Sequence, residues 1–243
     1  ASVSESTVVR FAFELGYDGY PQLQNELHEM IKNKLTSIQR IEVANEQIGD
    51  SDVLDKVLNL DIEKIKKTLE ETSRESFKGA VDSIVSAKNI YVLGSRSASV
   101  LARFLVLYFN IIFEHVKLIH TTSSSEMFEQ IMRISDKDIM IGISFPRYSK
   151  RSAKALKFAK DRGATVIAIT DSESSPLAKE ADFFLQARSD MASFVDSLVA
   201  PLSLINALIV AVGLKKRKDL EHTFIELENI WDEYDVYQKA EDN

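Results

Sequence analysis

The chain has 243 residues, 45% of them hydrophobic and 28% charged, a composition typical of a folded globular protein. Its formal net charge of −7 argues against a general nucleic-acid-coating protein but not against a specific DNA reader that uses one helix. The absence of cysteine excludes disulfides, thiolate nucleophiles and cysteine-ligated zinc, and we expect a cytoplasmic protein. The most apolar stretch, residues 198–214, is interrupted by Asn206, so we interpret it as a buried helix and expect no membrane segment.

The first 87 residues have helical periodicity and no convincing strand. Gly16 is a suitable C-terminal stop for the first helix, and Pro21 is a suitable first-turn residue for the second. A break is expected near residue 50, where Gly-Asp-Ser-Asp occurs. Helices are predicted at residues 4–15, 21–31, 53–71 and 73–87.

Beyond residue 88, short β-rich runs alternate with helical stretches, which indicates a parallel sheet with crossover helices. Strands are predicted at residues 90–93, 116–119, 139–143, 165–169 and 183–185. Helices are predicted at residues 97–112, 124–134, 149–162, 176–180 and 193–213. We therefore expect an α/β fold in which helices flank a five-stranded parallel sheet in three layers, as in flavodoxin-like proteins, preceded by an all-α segment.

A last amphipathic helix is predicted beyond Lys218. Its apolar stripe comprises Leu220, Phe224, Leu227, Trp231 and Tyr234. We interpret the stripe as core or as a dimer contact rather than as a cofactor site, because such stripes usually face a packing partner.

The first of two hydroxyl-rich turns follows the predicted strand at residues 90–93, with the sequence Gly94-Ser95-Arg96-Ser97-Ala98-Ser99. Ligands bind at the carboxyl ends of parallel strands, where the next helix also offers free N–H groups to an anion. The glycine permits close approach of the backbone, while Ser95, Arg96, Ser97 and Ser99 supply hydroxyls and a positive charge. We interpret the turn as part of a phosphate site; the simpler alternative is that its serines only cap the helix.

The second turn follows the predicted strand at residues 139–143 and repeats this chemistry. Ser144 and Ser149 bracket a Phe-Pro-Arg-Tyr sequence, and Lys-Arg-Ser continues into the helix. Early positive charges oppose the helix dipole, so they favour an anionic ligand or an inter-subunit contact. Ser144, Arg147 and Ser149 are therefore candidate ligand residues, with a simply solvated Arg147 as the alternative.

Two further hydroxyl clusters follow the second and fourth strands. They are Thr-Thr-Ser-Ser-Ser at residues 121–125, which contains the candidate Ser123, and Thr-Asp-Ser at residues 170–172. Several hydroxyl-bearing loops on one sheet edge suit a polyol phosphate, whose phosphate the loops after the first and third strands would hold. A dinucleotide is disfavoured because the first turn is not G-x-G-x-x-G and no acidic residue ends the second strand. We expect no resident cofactor and no metal site.

These residues resemble the sugar isomerase (SIS) domain, a phosphosugar-binding fold. Its phosphate loop has the pattern S-x-S-G-x-T, in which Ser144 and Ser149 take the first and last hydroxyl positions while Pro-Arg replaces the middle Ser-Gly. In the first loop, Gly94 and Ala102 match the family, whereas Arg96 stands where the family has a second glycine. The resemblance implies a phosphorylated sugar as the ligand.

The SIS resemblance covers about residues 81–213, and the N-terminal sequence extends it to nearly the whole chain. Residues 3–11, followed by Leu-Gly-Tyr-Asp-Gly-Tyr, are similar to the recognition helix and following turn of RpiR-type transcriptional regulators, which join a helix-turn-helix domain to a phosphosugar-sensing SIS domain. By that resemblance Ser4, Ser6 and Thr7, together with Arg10, face DNA. For this segment alone, an ordinary amphipathic helix is the alternative.

The resemblance implies a partial helix-turn-helix region at residues 1–48, a helical linker or dimerisation region at 49–87, and a SIS domain with a C-terminal helix at 88–243. The implied partners are a phosphorylated sugar effector, operator DNA and further copies of the chain in a homodimer or higher homo-oligomer. The sequence begins at the recognition helix, without the helices expected before it, which leaves DNA binding by this chain open.

A phosphosugar isomerase is the alternative function, and it needs a general base besides the phosphate cradle. Glu126, His120 and His222 are the candidates, although an acid such as Glu126 is expected in the first turn of a helix for dipole reasons alone. The helix-turn-helix remnant favours a sensor, because neither an isomerase nor a kinase-regulating sugar-phosphate adaptor needs it.

Overall fold

A computed structural model describes residues 4–24, 27, 38–39, 41–42, 52–121, 123–189 and 195–237. The chain divides into two compact units. One comprises residues 1–51 with 192–195, and the other comprises residues 52–191 with 196–243.

The larger unit contains one five-stranded sheet in which every strand pair is parallel. Its strands are β1 (Asn89–Gly94), β2 (Val116–Ile119), β3 (Asp138–Ile143), β4 (Thr165–Thr170) and β5 (Phe183–Gln186). The spatial order is β2-β1-β3-β4-β5. All six residues of the central strand β3 are buried, as expected of a parallel strand that helices cover on both faces.

The larger unit also contains seven described α-helices. They are α2 (Val53–Glu71), α3 (Arg74–Ser86), α4 (Ala98–Ile112), α5 (Ser124–Ile131), α6 (Lys150–Asp161), α7 (Val199–Lys215) and α8 (Arg217–Glu233). Alternate strand residues separate two apolar cores: Ile167 and Ile169 face the core built with α3, α4 and α7, whereas Val166 and Ala168 face the core built with α5 and α6. The architecture is therefore three-layered, with helices on both faces, and the predicted fold class is confirmed.

Element prediction was accurate for the sheet and for α2, but two helix predictions were wrong in type or bounds. Residues 176–180 contain only a short 3-10 helix, Ala178–Glu180, which a turn at Pro176 precedes. The helix predicted from residue 193 begins at Val199, and its outward residues Val210 and Leu214 are exposed. In α8 no residue is fully buried, so of the two interpretations of its stripe the core is excluded, and a dimer contact stays a prediction.

The N-terminal unit begins with α1 (Glu5–Glu14). The Ser4 hydroxyl caps this helix by accepting a hydrogen bond from the Thr7 N–H. Gly16 has φ +87°, a left-handed conformation that ends the helix as predicted. Residues 20–24 are helical, and the remainder of the predicted second helix lies largely outside the described residues.

In the part of the chain that the structure describes, no single helix is long and apolar enough to cross a membrane. The consecutive helices α7 and α8 satisfy the length and composition criteria together, with a bend of 96° between them.

Asp138 anchors the amino end of β3 through a buried carboxylate with three donors. Asn89 Nδ2 donates to Oδ1 at 2.5 Å, while the N–H and the hydroxyl of Ser135 donate to Oδ2 at 2.8 and 2.9 Å. Burial raises the pKa of the nearby Tyr91 hydroxyl above its ordinary value, and the negative charge of Asp138 raises it further.

We expect Asp138→Ala to lower the free energy of unfolding by about 2–3 kcal/mol, because it leaves three donors without their charged acceptor. Urea denaturation of the variant measures this loss. The matched control is Asp136→Ala, two residues away and exposed. Equal stability of the two variants would contradict a structural role for the Asp138 carboxylate.

Candidate functional site

The candidate site lies where the strand order reverses. From β1 the chain crosses to β2 on one side, whereas β3, β4 and β5 follow in order on the other side. The loops after β1 and β3 therefore leave neighbouring strands in opposite directions and open a crevice at the carboxyl edge of the sheet. Both hydroxyl-rich turns predicted as a phosphate site are at this crevice.

The first loop is held close to α4 by its glycine. A Cβ on Gly94 would lie 2.3 Å from the Ala98 carbonyl oxygen, so a larger residue would displace the start of α4. Arg96 has φ +58°, an uncommon conformation for a residue with a side chain, and it is exposed. The Ser99 hydroxyl donates to the Arg96 carbonyl at 2.6 Å, which holds the turn in place.

Ser97 occupies the N-cap position of α4, but its hydroxyl makes no capping hydrogen bond. It lies 3.4 Å from Oδ2 of Asp196 instead. This serine is therefore not explained by helix capping. Asp196 is 99 positions away, so no local signal in the sequence could have indicated the contact.

In the second loop, Ser144 is buried and its N–H donates to the Ile169 carbonyl at 3.2 Å. Its Oγ accepts a hydrogen bond from the Ser149 N–H at 3.3 Å. Ser149 caps α6, because its Oγ accepts from the Ser152 N–H at 3.2 Å. Arg147 is exposed, and it has no hydrogen bond or ion pair among the described residues.

A hydrogen bond connects the two loops. The hydroxyls of Ser95 and Ser152 lie 3.2 Å apart, and Ser152 is fully buried. Ser152 belongs to the first turn of α6, which also contains Lys150 and Arg151 and has no acidic residue. Hydroxyls, the N-terminus of α6 and its basic first turn therefore lie at the same place, which is an arrangement that suits an anion.

The loop after β2 uses its hydroxyls locally. Ser123 caps α5, and Thr121 donates to the carboxylate of Glu126. The Ser123 N–H in turn donates to Thr121 Oγ1 at 3.0 Å. These hydrogen bonds form a capping arrangement at the start of α5, so the cap explains much of the predicted cluster.

The two histidines proposed as alternative bases differ in position. His120 follows β2 directly and is exposed at the carboxyl edge. His222 lines a groove of about 890 Å³ with Lys88 and Ile90 at the start of β1, which is the opposite edge of the sheet. The hypothesis that His222 is the base of a reaction in the crevice is therefore wrong, because His222 lies at the amino edge of the sheet and the crevice lies at the carboxyl edge.

Three polar residues outside the candidate ligand set, Tyr148, Thr170 and Asp171, form hydrogen bonds with one another at the second loop. The Tyr148 hydroxyl donates to Oδ1 of Asp171 at 2.9 Å, and the Thr170 hydroxyl lies 3.2 Å from the same oxygen. Asp171 is buried. Sequence reasoning identified the cluster at residues 170–172 but not its pairing with Tyr148, since adjacency of β3 and β4 creates it.

The residues predicted to face DNA are exposed: Ser4 is the N-cap of α1, and Ser6, Thr7 and Arg10 lie in its first two turns. The Ser4 hydroxyl is 2.9 Å from the Ser6 hydroxyl and 2.8 Å from the Thr7 hydroxyl. Arg10 lies one turn beyond Ser6 on the same side of the helix. Capping of α1 therefore explains the Ser4 hydroxyl, while the side chains of Ser6, Thr7 and Arg10 are exposed to solvent.

Across the described part of the chain, no three His, Asp or Glu side chains are grouped so that they could hold a metal ion.

The chain belongs to the SIS domain family, whose model matches residues 83–211. It is also similar to helix-turn-helix transcriptional regulators. It shares 25% identity with one from Caldanaerobacter subterraneus subsp. tengcongensis, over 89% of this chain and 77% of that protein. It shares 23% identity with the regulator HexR of Pseudomonas aeruginosa, over 91% of this chain and 77% of HexR.

Solved structures agree with this assignment. The sugar isomerase domain of an RpiR transcription factor from Sphaerobacter thermophilus has a TM-score of 0.70 and 26% identity, covering 74% of this chain and 99% of that domain. NanR from Vibrio vulnificus, solved with ManNAc-6P, has the same fold with a TM-score of 0.67 at 20% identity, covering 98% of this chain and 83% of NanR. The predicted resemblance to RpiR-type regulators is confirmed.

Proposed function

We propose that the chain is a transcriptional regulator of sugar metabolism whose SIS domain binds a phosphorylated sugar in the crevice between the loops at residues 94–99 and 144–149. The observation that carries the proposal is the Ser95–Ser152 hydrogen bond, which joins both loops at the N-terminus of α6. An anion there meets the N-terminus of α6 and the positive end of the helix dipole. The helix-turn-helix relatives favour a regulator over an enzyme.

The proposed phosphate contacts are Ser144 and Ser149, with the exposed guanidinium of Arg147 closing over the anion. Arg147 can do so without breaking an existing ion pair. From the first loop, Ser95, Ser97 and Ser99 offer hydroxyls, and Arg96 adds a second exposed cation. Ser123 is the proposed contact for a more distant sugar hydroxyl, although its Oγ also serves the α5 cap.

Further copies of the chain and operator DNA complete the proposed partners. Exposed apolar side chains on α4 and α8, such as Leu107, Tyr108 and Ile225, are suited to contacts in a homodimer or higher homo-oligomer. Ser6, Thr7 and Arg10, with Ser4, are the proposed DNA-facing residues. NanR is a structural neighbour solved with a phosphosugar, which supports this ligand class. A cytoplasmic location fits a DNA-binding regulator.

The proposed mechanism is allosteric. The phosphosugar binds one arrangement of the oligomer more tightly than another and so shifts the population between them. The spacing of two DNA-reading helices then changes relative to the two operator half-sites.

We expect Ser144→Ala to weaken phosphosugar binding by about ten-fold to one hundred-fold, because it removes a hydrogen bond to a charged group. Isothermal titration with a panel of hexose, pentose and amino-sugar phosphates and inorganic phosphate measures the change. Ser73→Ala is the matched control, since Ser73 also accepts a backbone N–H bond, at 3.1 Å, but caps α3. An unchanged dissociation constant in Ser144→Ala would contradict the phosphate assignment.

We expect Arg10→Ala, in a protein with its whole DNA-binding region, to weaken operator binding by about 1–3 kcal/mol. The exposed guanidinium on α1 would no longer reach a base or phosphate. Fluorescence anisotropy with labelled operator DNA measures this, and phosphosugar titration of the same variant is the control. Operator affinity equal to that of the unaltered protein would contradict the DNA-facing role.

A phosphosugar isomerase is the second candidate function, favoured by the exposed Glu126 carboxylate beside the carboxyl edge of the sheet. If the protein is a sensor, NMR spectra of sugar phosphates incubated with it for hours contain saturation-transfer signals and no product peaks. An isomeric sugar phosphate that disappears with Glu126→Gln would establish the enzyme instead.

A further inference from the structure

Helix α2, the first described helix of the larger unit, buries two polar residues and leaves several apolar residues exposed. Its two buried residues are Lys64 and Thr68. In contrast, Leu54 is 65% exposed and Leu69 is 59% exposed. Burying an ammonium and a hydroxyl is unfavourable unless both are bonded, so specific polar contacts hold the inner face of α2 in addition to its packing against α7.

One set of contacts leads from the first loop of the crevice to α2. Ser97 Oγ lies 3.4 Å from Asp196 Oδ2. The next residue, Ser197, donates from its hydroxyl to Oδ1 of Asp61 at 2.6 Å. The same oxygen accepts the buried Lys64 ammonium at 3.1 Å. The first loop is thus connected to the inner face of α2 through the adjacent residues Asp196 and Ser197.

A second set leads from the other loop. Tyr148, between Ser144 and Ser149, bonds to the Asp171 carboxylate. The side-chain amide of Gln186 donates to the Asp171 carbonyl at 3.2 Å and to Oε2 of Glu71 at 3.1 Å. Gln186 therefore joins the loop after β4 directly to the last turn of α2.

This second connection ends in a two-point ion pair. Arg188 donates from Nε and Nη2 to the two oxygens of Glu71, each at 2.5 Å. The Arg188 N–H also donates to Oγ1 of the buried Thr68 at 2.9 Å. Such bidentate pairing fixes orientation, so a displacement of residues 186–188 is passed to α2 rather than absorbed by a flexible side chain.

We propose that α2 senses occupancy of the crevice through these two polar connections, one at Asp61 and Lys64 and the other at Thr68 and Glu71. The inference rests on the proposed phosphosugar site and specifies how that site is regulated. Ligand binding draws in Ser97 and the loop that carries Tyr148, and the buried polar groups of α2 follow because losing their partners is costly. Since α2 directly follows residues 1–51 in sequence, it is the element that conveys the bound state toward the DNA-binding segment.

The test compares hydrogen exchange of the peptides that cover α2 and the first turn of α6. Each protein is measured alone, with inorganic phosphate and with glucose 6-phosphate as probes. In the unaltered protein we expect both regions to exchange at least about five-fold more slowly with a probe. Gln186→Leu cuts the second connection while keeping the size of the side chain, and Ser197→Ala cuts the first. Neither residue is a proposed ligand contact.

We expect both variants to retain protection at α6 and to lose most of it at residues 61–71 of α2, with the double variant losing the remainder. Lys215→Met is the matched control, because it breaks an ion pair with Asp82 between α7 and α3 that belongs to neither connection. It should respond as the unaltered protein does. Protection of α2 that persists in the double variant would overturn this inference alone, whereas absence of protection at α6 in the unaltered protein would contradict the proposed function itself.

Discussion

Parallel pairing of β1 with β3 is the interaction on which the candidate site depends. The two strands are paired from Asn89 with Asp138 to Gly94 with Ile143, so they end at the same level. Their loops consequently leave the sheet side by side, and Ser95 comes within hydrogen-bonding distance of Ser152. A shift of one residue in this register would move one loop away from the other and turn every side chain of that strand to the opposite face. The Asp138 carboxylate secures the register at its start.

Two glycines allow the helices to approach this pair of strands closely. Gly94 admits the first turn of α4, and a Cβ at Gly142 would lie 2.4 Å from Cδ1 of Leu156 on α6. Close packing of α6 on β3 brings its N-terminus, with the positive end of the helix dipole, to the mouth of the crevice. The apolar core and the polar site are thus consequences of the same packing, since the contact that buries Leu156 also positions Ser149 and Ser152.

Helix α2 illustrates where a periodic pattern misleads. Its leucines and isoleucines recur at helical spacing, and such a stripe normally faces the core. The structure instead buries Lys64 and Thr68 and leaves Leu54 and Leu69 exposed. Helix α2 packs chiefly against α7, and its buried Thr68 also accepts a hydrogen bond from the Arg188 N–H beyond β5. The bounds of α2 were predictable because they depend on local sequence, but the orientation of its faces was not.

From the sequence by itself came the five strands, most helices, the two hydroxyl-rich turns and the resemblance to SIS-containing regulators, because periodicity and turn composition act between near neighbours in the chain. Tertiary structure alone decided how each polar group is used. Ser123 and Ser4 cap helices, Ser97 pairs with Asp196, and His222 lies at the wrong edge of the sheet. Such roles depend on contacts between residues as many as 136 positions apart, as for Ser197 and Asp61. They arise only when strand order and helix packing bring distant segments together, and no local pattern encodes that order.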